Sequence, residues 1–179
     1  FMSRIGKKII NIPKDVTITI ANNNVTVKGK HGVLAREVED LITFDLGENE
    51  LSIKRVNDDK KTRSYHGLMR ALIQNMVTGV DELFTKTLVA EGVGYKFQAD
   101  KTKLVLNVGF THPVEFPIPS DLSVKQEGPT KIHISGIDRE KVGFLAAQVR
   151  SMRPPEPYKG KGILYMGEKV IRKAGKTGK

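Results

Sequence analysis

The residues with most to offer chemically lie in one stretch, Arg150-Ser-Met-Arg153-Pro-Pro-Glu-Pro157-Tyr158-Lys-Gly-Lys-Gly162-Ile-Leu-Tyr165. Proline fixes φ and removes an amide donor, so Pro154, Pro155 and Pro157 predict a stiff, extended exit from a helix. Gly160 and Gly162 put no side chain in the way, so Lys159 and Lys161 sit where the backbone itself can approach a phosphate. Arg150 and Arg153 leave the helix where cations suit its C-terminal dipole, which explains one of them structurally. The lysines beyond, with Arg172, Lys173 and Lys176, need another reason. Such a pattern points to an arm laid on a polyanion.

Other arrangements that could do chemistry fall short. Gly175-Lys176-Thr177 resembles the end of a phosphate-binding loop, but its first glycine would fall at Val170. Gly92-Val-Gly94 has Phe97 where a dinucleotide fingerprint needs its third glycine, so it reads as a bend at a strand end. His31, His66, His112 and His133 are scattered, and their spacing requests neither a metal triad nor a nucleophile–base pair. With no cysteine, disulfides and thiolate metal sites are excluded, which fits a reducing compartment. Only Tyr158 and Tyr165 interleave with the basic loop and there is no tryptophan, so contacts to phosphate and groove are favoured over base stacking.

Charge placement sharpens the reading. The net charge of +10 divides as four basic and no acidic residues in 1–14, nine basic and two acidic in 150–179, and 17 basic against 18 acidic between. Basic ends on a near-neutral body are the footprint of arms that neutralise a polyanion, and the N-terminal lead contributes Arg4, Lys7 and Lys8. No apolar run approaches the roughly 20 residues of a membrane helix, and Met2-Ser-Arg-Ile reads as a natural start without a secretion signal. A soluble protein of the cytoplasm or an organelle matrix is expected.

Two similar units must carry these ends. Val16, Ile18 and Ile20 alternate up to Asn22-Asn-Asn24 and Val25 and Val27 alternate away, a hairpin. Gly29 and Gly32 bracket a second turn, and 34–38, 41–44 and 51–56 read as strands. After polar 57–64, Leu68, Leu72 and Met76 beside Met69, Ile73, Val77 and Val80 predict a helix ended by Gly79. The pattern then repeats: strands near 88–90, 95–99, 104–108, 114–118, 122–124 and 132–134, then a helix capped by Asp138 with Val142, Leu145, Ala146 and Val149 inward. The hairpins lie about 80 positions apart, as do the strands at 51–55 and 131–135. The fold expected is α+β: two small domains from an internal duplication, each an antiparallel sheet with a helix on one face, at 1–82 and 83–152, then a basic tail at 153–179.

Collinear motifs give these features a family. Met2-Ser-Arg-Ile-Gly6-Lys, Val27-Lys-Gly29, Leu88-Val-Ala-Glu-Gly92-Val-Gly-Tyr95, Leu106-Asn-Val-Gly-Phe-Thr-His-Pro113-Val and the 150–162 stretch together resemble the bacterial-type large-subunit ribosomal protein L6 family. The resemblance implies two duplicated α+β domains bound to large-subunit ribosomal RNA near the base of the factor-recruiting stalk, chiefly through the second domain and tail. It implies an RNA-facing segment of Arg150, Arg153, Pro154, Pro155, Tyr158, Lys159, Gly160, Lys161 and Gly162. Gly92, Gly94, Lys96, Thr111 and His112 form a second group. Leu164 stands where members often carry Arg before the final Tyr. Expected partners are that RNA and neighbouring ribosomal proteins, with no catalysis, cofactor, metal, membrane or small-molecule substrate. The reading is a resident structural subunit of the ribosome; the alternative is a free RNA chaperone or regulator built from the same two units.

Overall fold

A two-residue turn at Asn22 and Asn23, both with positive φ (45° and 63°), twists the flanking strands as a right-handed hairpin requires. The computed structural model describes residues 6–176, which divide between Leu83 and Phe84 into two units. The first runs β1 (Ile10–Asn11), β2 (Thr17–Ala21), β3 (Asn24–Gly29), β4 (Gly32–Glu37), β5 (Ile42–Leu46), β6 (Glu50–Arg55) and α1 (Lys60–Asp81). The second runs β7 (Phe84–Glu91), β8 (Lys96–Ala99), β9 (Lys103–Asn107), β10 (Val114–Pro117), β11 (Leu122–Glu127), β12 (Lys131–Gly136), α2 (Arg139–Met152) and β13 (Gly162–Tyr165).

The expected α+β duplication is present, with the strands of each unit shared between two antiparallel sheets. Order β2-β3-β4 in the first unit matches β8-β9-β10 in the second, and β1-β6-β5 matches β7-β12-β11. Each unit closes over its own core: Ile10, Val25, Val27, Leu51, Ile73 and Val80 in the first, Leu88, Phe97, Leu104, Ile132, Ile134 and Val149 in the second. The second unit carries one strand more. β13 pairs with the outer edge of β7, from Gly162 opposite Glu91 to Tyr165 opposite Leu88. In the first unit the Arg70 guanidinium instead donates to the Lys8 and Ile9 carbonyls (2.9 and 3.1 Å) just ahead of β1. The stretch expected as a trailing arm thus contributes a strand to a folded sheet.

The helices fix the cores. Asp138 caps α2 as expected, its carboxylate accepting from Glu140 N at 2.9 Å, and Val142, Leu145, Ala146 and Val149 are buried. For α1 the expectation needs three corrections. It begins at Lys60, inside the stretch 57–64 expected as a loop. It runs past Gly79, which is buried within it, because Glu82 N still bonds Thr78 O and no left-handed residue interrupts. Its buried face centres on Met69, Ile73, Met76 and Val80, leaving Leu68 53% exposed, because the 3.6-residue period carries Leu68 a row aside. Among the described residues no helix is long and apolar enough to cross a membrane.

Ile73→Ala, at a fully buried site, is expected to cost about 2–5 kcal/mol in urea unfolding, and Leu68→Ala less than about 0.5 kcal/mol. Comparable losses at the two positions would contradict this orientation of α1.

Candidate nucleic-acid interface

The polyproline step ends α2, and backbone hydrogen bonds then determine where the chain goes. Arg153 takes the C-cap position with φ −145° and ψ 79°, and Pro154 has no amide with which to continue the helix. Ile163 N donates to Arg153 O at 2.7 Å and Glu156 N to Lys161 O at 2.9 Å, so 153–163 is a loop clamped at its base. Pro157, Tyr158 and Lys159 form the turn at its tip, and Tyr158, Lys159 and Lys161 are exposed. A third bond, Lys173 N to Pro157 O at 2.7 Å, draws the following basic segment against this loop. Arg172 and Lys173 therefore join Lys159 and Lys161, whereas Lys176 lies exposed further along.

The glycines of this loop serve packing, which revises the expectation that both open the backbone to phosphate. Gly162 is buried with φ 150°, and a Cβ there would lie 2.6 Å from Pro155 Cα and 2.7 Å from the Pro154 carbonyl carbon. Gly160, at φ 75°, faces the Arg172 guanidinium, whose nearest nitrogen would be 3.1 Å from an added Cβ. Pro154 is exposed and Pro155 half-buried against Gly162. Leu164 is buried in β13, so that position is committed to packing.

Arg150 and Arg153 have separate surroundings. The Arg150 guanidinium makes a two-point contact with the Glu168 carboxylate, Nε to Oε2 at 3.0 Å and NH2 to Oε1, and lies 5.5 Å over the Tyr165 ring. Glu168 also accepts from Tyr165 N at 3.0 Å. The Arg150 hydrogen bond, then the Tyr165 amide, hold the Glu168 carboxyl below the usual carboxylate range. Arg153 reaches the other way: its Nε donates to Tyr95 Oη at 3.3 Å and its guanidinium lies 5.4 Å over the Phe110 ring.

Through Arg153 the second group of sequence candidates joins the first. The Tyr95 ring sits on Gly92 and Gly109, where added Cβ atoms would come within 3.0 and 3.1 Å of it. Gly94, at φ 76°, opens to space, and Val93 between the two glycines is 94% exposed. Lys96, the first residue of β8, and Thr111 and His112 on the loop before β10 are exposed. Lys7 and Lys8 are exposed in the first unit, while Arg4 lies outside the described residues. Sequence reasoning missed Tyr95 as the seat of Arg153, Phe110 as its cover and Glu168 as the partner of Arg150. Paired glycines flanking an aromatic were the only signal for the first of these.

One arrangement resembles a catalytic relay. Thr87 Oγ1 and His133 Nδ1 are 2.9 Å apart, and His133 Nε2 is 2.7 Å from Glu127 Oε2, across β7, β12 and β11. The next pair along, Thr85 and Ser135, makes the same cross-strand contact at 2.9 Å, as a polar ladder on a wet sheet face does. Glu127 is further tied to Lys131 at 2.9 Å. His66 is buried in the first unit, its Nε2 2.8 Å from Ile53 O. Among the described residues no group of three or more His, Cys, Asp or Glu is placed to hold a metal ion.

Comparison with known proteins agrees with this organisation. The family model described as ribosomal protein L6 matches twice, over residues 12–83 and 91–166, one match in each unit. Proteins named large ribosomal subunit protein uL6 from Staphylococcus aureus strains JH9, JH1 and Mu3 are each 51% identical over 178 residues, covering 99% of this chain and 100% of the relative.

Glu168→Gln is expected to lower stability at pH 7 by about 1–2 kcal/mol. Because the folded carboxyl titrates below its unfolded value, the native advantage is full above the ordinary carboxylate range. It is lost as pH falls through the depressed value, so the two proteins should converge in acid. An equal gap at pH 7 and in acid, measured by chemical unfolding, would contradict the Arg150–Glu168 account.

Proposed function

The chain belongs to the ribosomal protein L6 family of the large ribosomal subunit, and we propose that it is a non-catalytic structural constituent gripping large-subunit RNA through its second unit. The grip is the clamped loop 153–163 with the adjoining Arg172 and Lys173, seated at the base of the factor-recruiting stalk in cytoplasmic ribosomes. Lys159 and Lys161 contact phosphate, Tyr158 adds an exposed ring at the loop tip, and Arg153 fixes the Gly92–Lys96 and Thr111–His112 loops beside it. Arg150 braces the loop from behind through Glu168. Lys176, and Lys7 and Lys8 in the first unit, add further charge, and neighbouring ribosomal proteins meet the remaining surface.

One observation carries this reading: three backbone hydrogen bonds made within the chain itself hold the basic segment folded. A loop ordered beforehand loses less conformational entropy on binding, so more of its phosphate attraction is expressed as affinity. Shape and phosphate spacing, read by a fixed loop with few exposed rings, suit a folded RNA better than a single strand. The basic ends on a near-neutral body supply the attraction, and counterion release makes it salt-dependent.

Replacing Lys159 and Lys161 with Gln should weaken binding to large-subunit RNA and flatten the plot of log affinity against log salt by about 0.7–0.9 per lost contact. Both side chains are exposed, so the unfolding midpoint should hold. An unchanged salt slope in the double variant would overturn the contact assignment.

A further inference from the structure

The second unit holds one cation whose hydrogen-bonding end its own fold leaves unused. Arg153 donates from Nε to Tyr95 Oη at 3.3 Å, and its guanidinium lies 5.4 Å from the centre of the Phe110 ring. Arg150, by contrast, is closed off by the Glu168 carboxylate. Among the described residues no carboxylate meets Arg153, which is exposed, so the paired amino groups at the end of its guanidinium keep their N–H donors without an acceptor. Its neighbourhood is apolar as well as cationic. Phe110 is 45% exposed and Val93 94%, each next to a glycine, Gly109 or Gly92, that rests on the Tyr95 ring. Gly94, with nothing within 4 Å of an added Cβ, leaves the tip of the Val93 loop open to approach.

We propose that Arg153 selects an unpaired guanine of large-subunit RNA, its terminal amino groups donating to O6 and N7 while the base covers Phe110 and Val93. The inference rests on the RNA-binding reading and names what that site recognises beyond phosphate. The apolar neighbours decide between phosphate and base. A phosphate is strongly hydrated and gains nothing from a ring or an isopropyl group, whereas the face of a base removes both from water. Donor pattern then decides which base. Among Hoogsteen edges only guanine's carries two neighbouring acceptors; adenine sets an amino donor beside its N7, which a guanidinium cannot answer. Side chains cannot reach that edge in the deep, narrow major groove of an A-form helix, so the guanine stands in a loop, in a bulge or at a helix end. Tyr95 and Phe110 hold the fork in place beforehand, which lowers the ordering cost of a two-point contact.

The test uses the full chain, parent and Arg153→Lys, on large-subunit RNA transcribed with sparse, phosphorothioate-tagged 7-deazaguanosine, which lacks the N7 acceptor. Bound and unbound RNA are separated and the substituted positions are mapped by iodine cleavage. With the parent, the analogue should lower binding about fivefold at one guanine outside a helix, as the loss of half a two-point base contact predicts. With Arg153→Lys, which keeps the charge, that sensitivity should vanish. No sensitive guanine with the parent, or the same sensitive guanine with Arg153→Lys, would overturn the proposal; a merely structural role for Arg153 gives uniform weakening with an unchanged pattern. Dimethyl sulfate gives a second reading without a variant: the parent should shield that guanine's N7 from methylation, and full reactivity in the complex would overturn the assignment. Replacing Lys159 and Lys161 with Gln should keep the sensitive guanine while flattening the salt slope. Failure of the RNA reading itself would show differently, as no salt-dependent binding by the parent at all.

Discussion

Two short backbone hydrogen bonds, Ile163 N to Arg153 O and Glu156 N to Lys161 O, decide the form of the basic end of this protein. Proline alone would stop α2 and release a charged tail into solvent. With these bonds the chain turns back, Gly162 passes against the Pro154–Pro155 backbone, and Ile163 and Leu164 are buried beside β7. Apolar burial and sheet pairing thereby offset the cost of ordering a lysine-rich loop. Arg150 and Glu168 hold the far side of the return, and Arg153, Tyr95 and Phe110 hold the near side.

Duplication explains why this happens in one unit and not in the other. Each copy has an outer strand at the corresponding edge of its own three-strand order, β1 in the first and β7 in the second, and an open edge is a liability. In the second copy the chain that follows the helix returns to cover that edge as β13. In the first copy the chain after α1 proceeds into β7, and Arg70 answers the lead carbonyls with its guanidinium. The extra strand and the basic loop are thus one structural event: the loop is the connection needed to bring β13 home.

Much of this was legible in residue order. The Asn22–Asn23 turn, the alternating strands and the Asp138 cap are local, and local chemistry decides them. The face of α1 was less legible, because Leu68 and Leu72 offer a second apolar row one step from the buried one and only packing chooses between them. β13 was hidden because Ile163-Leu164-Tyr165 is a short β-prone run between lysine-glycine pairs and a polar turn, where charge dominates any window. Contacts across long separations, such as Arg153 with Tyr95, are signalled on one side at most, here by the glycines beside Tyr95. Small size was legible as the reason for glycine at 160 and 162, but not the surfaces each admits, the Arg172 guanidinium at 160 and the Pro154–Pro155 backbone at 162.

Native-state hydrogen exchange of the free protein tests the central claim most directly. If the basic loop is built before RNA arrives, the amides of Ile163 and Glu156 should be protected together with those of β7, and Lys173 should be slowed beside them. Exchange of Ile163 and Glu156 at the rates of an unstructured chain, with β7 still protected, would show that the loop is ordered only by its partner and would contradict the account.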